Sequence, residues 1–203
     1  MKTRYLLALL IALAAAYPAR SQQVPVNRDS RSARFAAGIN AGDAFLFGTI
    51  GVNMQYAVHR HWTLELSGKY NNWSWNNEQA EKRVRQAQRS VSFGARWWPW
   101  NTYSGWWAGG RAGWQEYSRG GAFGQYYKEE GDAFGAVLSG GYALMLSPHW
   151  NADFGLGGWL GYKKFLVYEA PGEACPQCGR KTGGGGKFFL LPFEAIASFS
   201  YVF

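Results

Sequence analysis

The sequence predicts an all-β fold: an eight-stranded antiparallel up-and-down transmembrane β-barrel behind a cleaved N-terminal signal peptide. Three observations predict it. From about residue 34 onward, large apolar residues alternate with small or polar ones with few interruptions, the period of strands whose side chains point to opposite faces. Aromatics make up 18% of the chain and charged residues only 17%, with 27 Gly against 7 Pro. That excludes disorder, which needs few aromatics and much charge, and suits strands joined by turns. Third, no run of roughly 18 apolar residues occurs beyond the N-terminus, so a helical span is excluded and a closed barrel is the other structure a bilayer permits.

Residues 1–21 have the order of a secretory signal: Lys2 and Arg4, an apolar core from Leu6 to Ala16, then Tyr17-Pro-Ala-Arg-Ser21. The apolar run is too short for a transmembrane anchor. Cleavage is expected after Ser21, leaving a flexible segment, 22–33, and a barrel, 34–203. Without Lys2, Arg4 and Arg20 the chain keeps 18 basic residues against 13 acidic. This mild excess forms no compact basic stripe, so nucleic acid is not an expected partner.

Phe35, Ala37, Ile39 and Ala41 share the first apolar face, and Gly42-Asp43-Ala44 turns the chain. Ile50, Val52, Met54, Tyr56 and Val58 form the second face, and His59-Arg60-His61 a tight connection. Trp62, Leu64, Leu66, Gly68 and Tyr70 oppose Thr63, Glu65, Ser67, Lys69 and Asn71. From Asn72 to Gln88 the alternation fails; Asn76 to Arg89 has Val84 as its one strong apolar residue, so a solvated loop with at most a helical turn is expected. Val91, Phe93, Ala95 and Trp97 resume the period against Ser92, Gly94, Arg96 and Trp98, ahead of a turn at Pro99 to Ser104. Trp106, Ala108, Gly110, Ala112 and Trp114 follow, then a second loop, Ser118 to Gly131. Phe134 to Leu146 and Trp150 to Tyr162 flank the Ser147-Pro-His149 turn; Glu169 to Gly186 is the third loop.

The last stretch is the most regular. Phe189, Leu191, Phe193, Ala195, Ala197, Phe199, Tyr201 and Phe203 fall on one face, with Glu194 and two serines on the other. Eight strands of about nine or more residues result, long enough to cross a bilayer when tilted. Three tight turns on one side and three longer loops on the other match the periplasmic and outer ends of such barrels, with both termini periplasmic. Phe199, Tyr201 and the terminal Phe203 resemble the closing strand and assembly signal of bacterial outer-membrane barrels. That implies the barrel assembly machinery as a partner and the cell outer membrane as location.

A soluble barrel of lipocalin type would turn the apolar face inward instead. The opposite face argues against it: its charges are few, Glu65, Lys69, Arg96, Arg111, Asp153, Lys163 and Glu194, spaced by Gly, Ser, Thr and Asn. A water-exposed exterior carries more Lys and Glu and less Gly. A narrow lumen needs small residues and neutralising charges, so Glu65, Asp153 and Glu194 are expected to pair inside with Arg96, Arg111, Lys69 or Lys163. Trp62, Trp97, Trp106, Trp150 and Tyr201 gather at the turn ends, and Tyr70, Trp114 and Tyr162 at the loop ends, as two aromatic girdles in contact with outer-membrane lipid.

Arg96-Trp-Trp-Pro-Trp100, Tyr103-Ser-Gly-Trp-Trp107, Glu130-Gly-Asp-Ala-Phe134, Gly140-Gly-Tyr142 and Trp150 through Tyr168 resemble a family of Gram-negative outer-membrane barrels, domain of unknown function 3575. The resemblance implies an outer-membrane barrel and brings no activity with it.

Cys175-Pro-Gln-Cys178 sits in the third loop. A structural zinc site needs two more ligands and no further Cys exists, so the expectation is a small disulfide at the loop tip. A metal shared between chains and free thiols are the alternatives. His59, His61 and His149 lie at the turns, away from the outer leaflet, so no Ser–His pair is expected there. A lipid-modifying enzyme relying on Glu129, Glu130 and Asp132, and a narrow pore, are the competing functions. The expected function is non-enzymatic, without cofactor or metal: a barrel whose loops meet an envelope protein or polysaccharide, or that supports the envelope. Tyr126, Tyr127, Lys128, Glu129 and Glu130, with Arg83, Arg85 and Arg89, form the candidate binding surface.

Overall fold

The computed structural model describes residues 34–45, 48–75, 84–120, 127–169 and 180–203. The expected signal and segment 22–33 lie outside them, as do Arg83, Tyr126, Cys175, Cys178 and the side chain of Phe193. The strands are β1 (Phe35–Asn40), β2 (Ile50–His59), β3 (Trp62–Trp75), β4 (Val84–Trp97), β5 (Gly105–Gly120), β6 (Tyr127–Met145), β7 (Trp150–Glu169) and β8 (Arg180–Val202). A five-residue helix, α1 (Ala41–Phe45), joins β1 to β2. Each strand pairs antiparallel with the next, and β8 returns to β1, so the sheet closes into a barrel.

Alternation fixes which side of the wall each residue faces. Along one row, Leu66 pairs with Phe93, Phe93 with Ala112, Ala112 with Ala136, Ala136 with Leu160 and Leu160 with Leu190; this row faces outward. The adjacent row, Glu65, Gly94, Arg111, Val137 and Trp159, faces inward. A one-residue slip would exchange the two sets, so register carries the whole architecture.

Three expectations need correction. The strands run on into the expected loops: Asn72 pairs with Ala87 and Ser74 with Arg85, β5 reaches Gly120, β6 starts at Tyr127, and β8 starts at Arg180. These extensions are mostly polar or Gly, with Trp73, Trp75 and Val84 the exceptions in the β3–β4 arm, so their backbone pairing leaves little hydrophobic period to read. Second, β8 does not keep one apolar face. Opposite Gly157 and Trp159 its register jumps from Glu194 to Leu191, a bulge that reverses the alternation. Phe188 and Leu190 therefore stand outward, and Phe189 packs edge-on against the inward Trp159, ring centres 5.1 Å apart. Third, the Gly42 connection is a helical turn, not a plain turn. Asn40 Oδ1 accepts from the backbone N–H of Gly42 and of Ala197, tying α1 to β8 where β1 ends.

The apolar core lies at the turn end of the lumen: Ala36, Trp98, Tyr103, Trp107, Ala143, Ile196 and Val202. The β4–β5 turn folds beneath the barrel and fills it. Tyr103 holds φ 66°, a left-handed conformation that a non-glycine residue adopts only with compensation. Asn151 Nδ2 donates to the Tyr103 carbonyl at 2.7 Å, and the Tyr103 hydroxyl donates to the Arg34 carbonyl at 3.1 Å. Trp107 lies on a glycine floor: a Cβ on Gly141 or Gly155 would come within 2.8 or 2.9 Å of its Cζ2.

Candidate functional site: the charged interior

Strand β3 supplies Glu65 and Lys69, β4 Arg96, β5 Arg111, β7 Asp153 and β8 Glu194, all at inward positions. Arg96 is 2% exposed and forks onto Glu65, Nε to Oε2 and Nη2 to Oε1, the second at 2.9 Å. Its Nη1 is 3.6 Å from Asp153 Oδ2, and its guanidinium lies 4.0 Å from the centre of the Trp107 ring. Arg111 reaches Glu194 at 2.8 Å and Glu65 at 3.7 Å, crossing the gap that Gly94 leaves between them in the row. Lys69 closes the chain, 2.7 Å from Glu194 and 2.9 Å from Asp43. Two planar forks and one flexible ammonium thus link four carboxylates, and hydroxyls complete the layer: Ser198 on Asp153, Ser67 on Arg111 and Ser92. Buried charges persist only when paired and hydrogen-bonded in this way. A cavity of about 20 Å³ remains inside the layer, room for about one water.

Lys163 does not join these residues. It pairs with Glu129 in a separate layer nearer the loops, where Tyr117 also donates to Glu129 at 2.7 Å. Burial works against the charge of Glu129, but the bonds from Lys163 and Tyr117 outweigh it and hold its carboxyl below the usual range. Burial and the Glu129 bond push the Tyr117 phenol up. The bond from Lys128 holds Glu130 low as well.

Sequence reasoning missed Asp43, Trp98, Tyr103 and Trp107, and placed Glu129 in a loop surface where the structure has it inside the barrel. Trp98 and Trp107 share the parity of Arg96 and Arg111, which was a usable signal. Asp43 sits in a Gly-Asp turn and carried none. The enzyme candidates are not assembled: Glu130 and Asp132 stand on the outward face of β6 and Glu129 on the inward one. His61 and His149 meet the Trp98 and Val202 carbonyls at 2.9 Å, and His59 lies by His61. Among the described residues no group of three His, Cys, Asp or Glu is placed to hold a metal.

The aromatics expected in the turn-end girdle lie outward, with Trp62, Trp97, Trp106 and Trp150 all exposed. Tyr201 packs edge-on against Trp150 at 4.9 Å and against Phe203 at the same distance, while Phe199 stacks on Trp150. Tyr70 and Tyr162 are exposed at the loop end; Trp114 pairs with Val91 and Phe134 between them. A family model described as protein of unknown function (DUF3575) matches residues 9–203. No curated protein and no solved structure matches the chain.

Proposed function

We propose that this chain, which belongs to the DUF3575 family, is an integral outer-membrane barrel with a sealed interior and a non-enzymatic role in the Gram-negative envelope. The observation that carries the proposal is the inversion of the wall. Ile50, Leu138, Phe154 and Leu156 are each more than half exposed outward, while Glu65, Arg96 and Asp153 are buried inward. In water that distribution leaves the apolar surface unburied; in a bilayer the same surface meets acyl chains. Outward Trp and Tyr at both ends would then lie at the two interfaces. Outer-membrane lipid and the assembly machinery are its proposed contacts, with the loop end free for an envelope protein or polysaccharide.

Expression with residues 1–21 intact in a Gram-negative host, followed by membrane fractionation, tests the reading. Recovery in the outer membrane as a heat-modifiable band is expected. Recovery in the soluble periplasmic fraction would defeat it, and so would loss of export-dependent processing without any membrane association.

A further inference from the structure

Strands β4 to β7 pair without a register shift, so the outward face runs unbroken from the turn end into the polar extensions. Two residues beyond Trp114, Phe134 and Tyr162 the apolar row gives way to Glu116, Asp132 and Lys164, paired side by side with Arg89 of β4. The next outward row carries Glu130, and the one beyond it Arg85 and Lys128. A cavity of about 870 Å³ follows this surface, lined by Arg85, Arg89, Glu116, Glu130, Asp132 and Lys164, with Tyr70 and Tyr162 beside them. Arg89 is 3.1 Å from Glu116, Lys128 bonds Glu130, and Asp132 is the cross-strand neighbour of Lys164. Arg85 makes a fourth cation against three carboxylates.

We infer that this outer wall is a headgroup site for a phosphorylated lipid of the outer leaflet, held together by divalent cations. The inference rests on the membrane reading above. Guanidinium and ammonium groups are the donors that phosphate oxygens take, and carboxylates are the ligands that hard divalent cations take. An alternating array of the two matches a layer of phosphates bridged by metal. Height selects a lipid over a soluble polymer: aromatic rings settle at the bilayer boundary, and these charges begin level with Tyr70 and one side-chain step beyond Trp114, Phe134 and Tyr162.

The test uses the full mature chain refolded into phosphatidylcholine vesicles, with a bisphosphorylated glucosamine lipid titrated in alongside Mg²⁺. The barrel should insert with or without that lipid, and the lipid should raise the temperature of the heat-modifiable transition. The double variant Arg85→Ala/Lys164→Ala should need roughly tenfold or more lipid for the same rise. Arg60→Ala, which removes one cation at the opposite end, should titrate like the parent. EDTA should reduce the rise in the parent. Should the alanine pair fail to fold, Arg85→Gln/Lys164→Gln replaces it. The site is overturned if the double variant titrates like the parent, if Arg60→Ala loses as much, or if a lipid-free sugar-phosphate polymer gives the same rise. Failure to insert into any vesicle strikes the membrane reading itself.

Discussion

Burial of Arg96 is tolerable only because Glu65 meets it with both oxygens, Asp153 balances its third nitrogen, and Trp107 covers its plane. Removing one partner of such a group leaves a charge with nowhere to go. Arg96→Met should therefore destabilise the barrel by about 3–5 kcal/mol. Arg96→Lys should lose much of that too, since an ammonium cannot make the two-pronged contact. Urea titration of the heat-modifiable form would measure both, and a Met variant as stable as the parent would show that the network is not needed. Glu129 gives a second residue-scale expectation. Its folded carboxyl titrates below its unfolded value, so its contribution is present above about pH 4.3 and is lost as pH falls through the lower folded value. Amide exchange at Arg119 and Val167, its strand partners, should accelerate in that acid range, and Glu129→Gln should exchange fast throughout.

At the scale of elements, the strands that touch apolar surroundings on one side were readable and the rest were not. Trp62 to Tyr70 and Trp150 to Tyr162 alternate because one face must be greasy, and their boundaries at the tight turns agree with the structure. Ser74 and Arg85 pair in the same ladder, but the β4 side of it, Arg85 to Arg89, is almost wholly polar and nothing in its order distinguishes strand from loop. The bulge in β8 was hidden for a related reason: Phe188 to Leu191 are all large and apolar, so either parity looks acceptable until Glu194 and Trp159 are placed together. Of the interior, charge parity revealed the six members that sit mid-strand, whereas Asp43 belongs to a turn and reaches Lys69 only through the helix fold of α1. Glycine placement follows the same logic of faces. Gly141→Ala would drive a methyl into the Gly155 backbone and the Trp107 ring and should cost about 1–3 kcal/mol. Gly183→Ala in the β8 extension meets nothing within 4 Å and should be neutral or slightly stabilising. Equal effects in thermal unfolding would show that Trp107 does not need its glycine floor.

For the molecule as a whole, the interior is closed twice over by different chemistry. At the turn end, Trp98, Tyr103 and Trp107 fill the cross-section with rings, and Trp98 and Tyr103 are held there by a turn that hydrogen-bonds to the β2–β3 turn and to β7: Thr102 to Arg60, Trp98 to His61, and Tyr103 through Asn151. Above them the Glu65–Arg96–Asp153 layer offers an ion charges already paired with one another. A passing cation would have to displace Arg96 from Glu65, and a passing anion would have to draw Arg111 from Glu194, each a break of a buried pair. Eight strands also leave an interior just wide enough for side chains. The full chain in planar bilayers should therefore show no steady single-channel current in either polarity. Weakening one barrier alone, by Trp107→Ala, should leave conductance absent because the Glu65 and Asp153 pairings still hold Arg96 across the lumen. Combining it with Glu65→Ala and Arg96→Ala, which vacates both layers, is where leakage should first arise if the variant still inserts. A resolved current through the parent protein would show instead that the two layers part under voltage, and the sealed barrel would have to be replaced by a gated one.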